Sequence, residues 1–144
     1  IPLFNHQEYI ETCLEKIIDL KLEKTKIIIV DDLSTDDSVL IVNRLIDKYK
    51  HSENIIFKFI VKDVNLGVTN SLNRGLKELE NGVVYFIASD DYIDCESFQR
   101  SLKIFDKETL DFLICNGVYF DESCPSTEVK MVYKNALSDF LTNR

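Results

Sequence analysis

"KIIIVDD", residues 26–32, decides the architecture. Ile27, Ile28, Ile29 and Val30 follow one another without polar alternation. A strand with one wet face alternates. A continuous β-branched run marks a strand buried on both faces, as in a parallel sheet covered by helices. The flanking sequence supplies those helices. Tyr9, Ile10, Cys13, Leu14, Ile17 and Ile18 recur at one-and-four spacing before it. After it, Ser34 or Asp36 can cap a helix whose inner stripe is Val42, Leu45, Ile46 and Tyr49.

Working outward, Ile1 to Phe4 reads as the end of a first strand, and "NIIFKFIV" (54–61) as the third. "NLG" (65–67) is a turn into a helix from Val68 to Leu79, with Leu72, Leu76 and Leu79 facing inward. "NG" (81–82) ends that helix, with Gly82 or Asn81 as a left-handed cap. "VVYFIA" (83–88) reads as a fourth strand. Phe98, Leu102 and Phe105 mark another helix. Residues 111–120 and 127–133 read as later strands, and "NALSDFL" opens one more helix. Strand and helix alternate, so the expected fold is α/β: a three-layer α/β/α sandwich around a mainly parallel, Rossmann-like sheet with right-handed connections.

The bulk numbers bound the function. The 144 residues are 45% hydrophobic and 29% charged, which suits one domain with its own core. A net charge of -8 argues against a nucleic-acid backbone as partner. No apolar run reaches the ~20 residues of a membrane span. The cysteines, Cys13, Cys95, Cys115 and Cys124, form no C-x-x-C pair, and His6 and His51 lie far from most of them. A zinc site is therefore not expected, and a reducing compartment is.

In open α/β sheets, ligands bind outside the carboxyl ends of the strands. Here those ends read Pro2-Leu3-Phe4-Asn5, Asp31-Asp32, Asn65-Leu66-Gly67 and Ser89-Asp90-Asp91. Each has a plain structural reading as turn or cap chemistry. For Asp90-Asp91 electrostatics favours a sharper one. Two carboxylates about 4–5 Å apart at a partly buried strand end repel by roughly 3–4 kcal/mol at an effective dielectric near 20. Either one proton is retained or a hard cation such as Mg²⁺ or Mn²⁺ sits there. A cation held by one or two carboxylates leaves positions for phosphate oxygens, so a diphosphate bound through a metal is the expected ligand. Neither G-x-x-x-x-G-K-[ST], G-x-G-x-x-G nor G-x-S-x-G occurs.

"IPLFNHQEYIETCLEKI", "IIIVDDLSTDDS", "NLGVTNSLNRGL" and "GVVYFIASDDYID" stand in the order and spacing of family 2 glycosyltransferases with the GT-A fold, which this sequence resembles over roughly residues 1–100. The resemblance implies transfer of a sugar from a nucleoside diphosphate donor, UDP above all, to an acceptor hydroxyl, with inversion and with Mn²⁺ or Mg²⁺. It implies that Pro2, Leu3, Phe4 and Asn5 wall the nucleotide pocket, and that Asp32 contacts the base or nucleoside. Asn65 and Gly67 would lie close to the nucleotide. Ser89-Asp90-Asp91 would hold the nucleotide-sugar and its metal, with Asp90 beside the ribose or sugar and Asp91, with Asp90, on the metal.

The sequence departs from many relatives in four places. Ala88 stands for the first acid of a D-x-D-D element, His6 for an acid, Cys95 for a proline and Leu72 for an arginine. With no initiator methionine and an end within or just after a helix, residues 1–144 read as a single partial domain: the nucleotide-sugar-binding half, truncated at both ends. The general base that deprotonates the acceptor is expected beyond Arg144. Asp121, Glu122, Glu128 and Asp139 match no base motif. Three other readings stand beside this one: a nucleotidyltransferase, which lacks its Gly-rich basic loop here; a catalytically inactive nucleotide-binding fragment; and a receiver domain, whose acidic strand ends should lie closer together. The expected acceptor is a carbohydrate or lipid-linked sugar in cell-surface polysaccharide synthesis. The expected location is cytoplasmic, with possible peripheral association at the inner membrane face through regions outside this sequence.

Overall fold

The computed structural model describes residues 1–108 and, beyond them, the backbone of residues 118–119 and 129–130. The chain forms two compact units, Ile1–Gln99 and Arg100–Arg144. The first is built from β1 (Pro2–Leu3), α1 (Ile10–Asp19), β2 (Thr25–Asp31), α2 (Ser38–Tyr49), β3 (Ile55–Val61) and α3 (Val68–Leu76). Helix α4 (Cys95–Glu108) runs across the boundary between the units. In the second unit, β4 (Val118–Tyr119) and β5 (Val129–Lys130) pair antiparallel. They fall inside the stretches expected to be later strands; the rest of those stretches, and the helix expected from "NALSDFL", lie outside the described residues.

Strands β1, β2 and β3 form a parallel sheet in that order, with β2 in the middle. The unalternating run of β2 is divided between two covers. Ile27 and Ile29 join Leu3, Ile10, Leu14, Val42 and Leu45 in a core with α1 and α2. A side chain at Gly75 of α3 would meet Ile28 and Val30. Helices therefore lie on both faces of β2, as its β-branched run requires, and the layers are α/β/α. Each fully buried Leu or Ile contributes about 1.5–3 kcal/mol of transfer free energy, so this core rather than helix propensity holds α1 and α2 in place. Edge strand β3 sends Ile55, Phe57 and Phe59 against the same core, while Ile56 is exposed.

Two expectations are corrected. Helix α3 ends at Leu76, and Leu76 is exposed. Its sheet-facing side carries the buried Ser71 and the half-buried Gly75, where an added Cβ would touch Ile28 and Val30, and Leu72 is only half-buried. Residues 83–88 enter no strand ladder. Strand β1 has only two residues, so little backbone is available to pair beside it. Val83, Val84, Tyr85 and Phe86 are exposed, and only Ile87 reaches the core, beside Cys13, Leu20 and Ile93. Of the two cap candidates for α2, Asp36 serves its start, accepting from the Ser38 N–H at 3.0 Å.

Candidate functional site

The carboxyl ends of β1 and β2 open on a cleft of about 350 Å³, a volume in the range of small-molecule sites. The loops that follow these two strands are stitched together. After β1, Asn5 takes up a left-handed backbone (φ 53°). Its side-chain carbonyl accepts from the Thr35 N–H at 2.8 Å, and its own N–H donates to Ser34 Oγ at 2.9 Å. Gln7 N–H donates to Asp36 at 2.9 Å, the Gln7 side chain accepts from Asp37 N–H at 2.9 Å, and His6 N–H donates to Ser38 Oγ at 3.0 Å. Polar residues after both strands are thus consumed in fixing the loops against each other.

The two aspartates at the end of β2 point to different duties. Asp31 is fully buried and accepts from the Ser34 N–H at 2.9 Å and from the Ser34 hydroxyl. That bond closes a turn in which Leu33 holds a left-handed φ of 66°. Asp32 is 4% exposed and lines the cleft. Its Oδ1 accepts from Lys62 Nζ and from the Leu66 N–H at 3.0 Å; its Oδ2 accepts from the Gly67 N–H at 2.6 Å. Burial by itself would raise the Asp32 carboxyl. The Lys62 ammonium and the Leu66 and Gly67 N–H groups outweigh burial and hold it below its ordinary value of 3.8. Gly67, at φ 82°, begins α3 in a conformation that strains any residue with a Cβ, so the turn brings its N–H to Asp32 through glycine.

At the other side of the cleft, Ser89 is buried and its Oγ lies 2.7 Å from His6 Nδ1. The same nitrogen lies 3.9 Å from Asp90 Oδ1. Asp91 N–H donates to the Ala88 carbonyl at 3.2 Å, which turns the chain. Asp90 and Asp91 both face solvent, so the premise of a partly buried carboxylate pair is corrected. In water, two such charges about 4 Å apart repel by only about 1 kcal/mol, and the pair needs no cation to exist. It fits one nonetheless. A Mg²⁺-type ion takes one or two carboxylates and fills its shell with water and phosphate oxygens, and adjacent exposed carboxylates offer that. Among the described residues no group of three or more acidic, His or Cys side chains gathers as a cage.

Of the residues singled out from sequence, Pro2, Leu3, Phe4, Asp32, Asn65, Gly67 and Ser89 line this one cleft. Asn5 does not line it; its amide is engaged by Thr35. Asp90 and Asp91 stand outside the lining, next to Ser89. His6 and Ser71 line the cleft without having been singled out as site residues, and Lys62 stands behind its wall. Strand register is the signal for Lys62. Asp31 pairs with Val61, so the next residues, Asp32 and Lys62, leave neighbouring strands side by side.

Among curated proteins, a Haemophilus influenzae protein described as an uncharacterized glycosyltransferase is 25% identical over 142 residues, covering 99% of this chain and 54% of that protein. The poly-beta-1,6-N-acetyl-D-glucosamine synthase of Staphylococcus aureus is 34% identical over 94 residues, 65% of this chain and 21% of that protein. Among solved structures, S. aureus TarS 1-349 in complex with UDP superposes with a TM-score of 0.62 at 29% identity, covering 83% of this chain and 32% of that one. The chain thus spans about half the length of the first of these relatives and less of the others. Residues 1–142 match the profile of glycosyl transferase family 2, and the chain belongs to that family.

Proposed function

We propose that this chain is the nucleotide-sugar-binding part of an inverting, divalent-cation-dependent glycosyltransferase, and that the whole protein moves a sugar from a UDP-sugar to an acceptor hydroxyl. One observation carries the reading. A cleft at the carboxyl ends of two parallel strands is walled by a buried, fully ionised carboxylate, Asp32, and bordered by the exposed Asp90-Asp91 pair. The UDP complex of the TarS neighbour supports the choice of nucleotide.

In this reading the nucleoside lies between the β1 end and the Asn65–Gly67 turn. Asp32 accepts a hydrogen bond from the base. The half-exposed Phe4 ring and Pro2 give it an apolar wall. Ser89 and Asp90 meet the ribose or sugar, and Asp91 with Asp90 holds the cation. The cation, when bound, stabilises charge developing on the departing diphosphate. No residue of this chain is assigned as the base for the acceptor hydroxyl. We propose a carbohydrate or lipid-linked acceptor, used on the cytoplasmic side of a membrane; the name of the poly-beta-1,6-N-acetyl-D-glucosamine synthase relative supports a polysaccharide product. Among the described residues no helix is long and apolar enough to cross one.

The test is calorimetric titration of the chain with UDP, GDP and TDP, with and without Mn²⁺. UDP binds, and more tightly with Mn²⁺. Absence of binding for all three nucleotides sinks the reading.

A further inference from the structure

The mechanism above uses Asp32 but leaves Lys62 without a task. Its side chain is only 10% exposed, next to an Asp32 side chain that is 5% exposed. Burying an ammonium costs several kcal/mol unless it is well partnered, so its position calls for a reason. Lys62 is not part of the cleft lining. The two hydrogen-bond partners of its ammonium among the described residues, Asp32 Oδ1 and Ser71 Oγ (3.4 Å), belong to residues that are. It therefore acts through the wall rather than on a ligand.

A carboxylate offers about four acceptor positions, two on each oxygen. On Asp32, Lys62 and the Leu66 N–H fill Oδ1, and the Gly67 N–H takes one position on Oδ2. One acceptor position, on Oδ2, is left over in a residue that lines the cleft. We propose that Lys62 is a positioning residue that locks Asp32 as a pure hydrogen-bond acceptor with one free position, and so makes the cleft select a pyrimidine with a ring N–H, uracil, over cytosine. This rests on the nucleotide-binding reading given above. With the ammonium bonded to it, the carboxyl is kept from taking a proton and from becoming a donor. The uracil ring N–H then meets an acceptor. The ring nitrogen of cytosine, at the same place on the base edge, sets acceptor against acceptor. A well-placed pair of this kind separates bases by about tenfold to a hundredfold in affinity.

The experiment compares UDP with CDP, titrated in the same Mn²⁺ buffer into the 144-residue chain and its Lys62→Met, Lys62→Gln and Lys62→Arg variants. The unaltered chain should prefer UDP by at least about tenfold. Lys62→Met and Lys62→Gln should lose most of that ratio, with UDP affinity falling much more than CDP affinity. Lys62→Arg, which keeps the cation, should keep the ratio. A merely structural lysine would weaken both nucleotides alike and leave the ratio unchanged, and that result overturns the proposal. Should the neutral variants not fold, UDP methylated on the ring nitrogen supplies the check on the unaltered chain. It should bind at least about tenfold more weakly than UDP, and equal binding overturns the acceptor role that Lys62 is held to fix. If the unaltered chain binds neither UDP nor CDP, the nucleotide reading itself has failed, which is distinct from binding without discrimination.

Discussion

Two acidic pairs close two apolar runs in this chain, and in one-letter code "IIIVDD" and "YFIASDD" look alike. Their structures are opposite. Asp31 and Asp32 are buried and accept hydrogen bonds from Ser34, Lys62, Leu66 and Gly67. Asp90 and Asp91 stand in water, and the corner is tethered through the His6–Ser89 contact. The first pair builds the site. It ties the end of β2 to the NLG turn and so fixes where a ligand can lie. The second adds little to the fold and keeps its oxygens available. A carboxylate committed to several donors is poorly placed to take a metal, and one left exposed is poorly placed to hold a loop.

The contrast breaks most sharply at Asp32. Asp32→Ala removes the partner of a nearly buried ammonium and strands the Leu66 and Gly67 N–H groups. The loss should be about 3–5 kcal/mol, the cost of breaking a buried ion pair by deleting one member. Urea unfolding of the variant measures it. A loss below about 1 kcal/mol would place Asp32 with the exposed pair.

Acid titration sharpens the same point. The Asp32 carboxyl is depressed in the folded chain, so its contribution to stability is complete above its ordinary value of 3.8 and is lost as pH falls through the lower folded value. Stability measured from about pH 6 to about pH 3 should fall on the acid side. Asp32→Asn, though less stable throughout, should show a shallower fall. Equal slopes would mean that Asp32 titrates alike folded and unfolded.

His6→Ala comes next. It removes the contact to Ser89 Oγ and leaves a buried hydroxyl without that partner. About 1 kcal/mol is the expected cost. It should be accompanied by weaker Mn²⁺-dependent binding of UDP, because Ser89 and Asp90 lose their anchor, whereas metal-free UDP binding changes less. Leu33→Gly should act in the opposite direction. A left-handed backbone costs a side-chain-bearing residue about 1–2 kcal/mol, and Gly relieves that at an entropic cost of about 0.5–1 kcal/mol. A net gain of about 0.5 kcal/mol in urea unfolding is expected. A loss would show that the half-exposed Leu33 side chain contributes packing that outweighs the strain.

How far the sequence could be read follows from the range of the forces involved. Strand β2, strand β3 and the helices α1 and α2 follow from periodicity, because burial on one face or two is written locally in the order of apolar residues. The face of α3 is not written that way. Ser71 and Gly75 look polar and flexible on paper, and only the closeness of β2 turns their side inward, with Ser71 buried and Gly75 half-buried. Residues 83–88 have strand composition, yet a ladder needs a neighbour of matching length, and β1 offers two residues. Most cleft-lining residues were legible from the strand ends. Lys62 was not, since a lysine one place beyond a strand reads as surface until the parallel register sets it beside Asp32. His6 stood out only as a replacement for an acid, and its bond to Ser89 joins residues 83 positions apart.

The smallest effect on stability should come from Asp91→Asn, and it divides the two acidic corners most directly. Asp91 is exposed, and it closes the turn through its backbone N–H, which Asn retains. Urea unfolding should therefore agree with the unaltered chain to within about 0.5 kcal/mol. In the reading proposed above, the same substitution removes an anionic cation ligand, so the extra thermal stabilisation that Mn²⁺ adds to UDP should disappear while stabilisation by UDP alone persists. Asp32 variants should behave in reverse, losing stability first and nucleotide with it. If Asp91→Asn keeps the full Mn²⁺-dependent shift, the cation is held elsewhere, and the exposed pair is only a solvated turn.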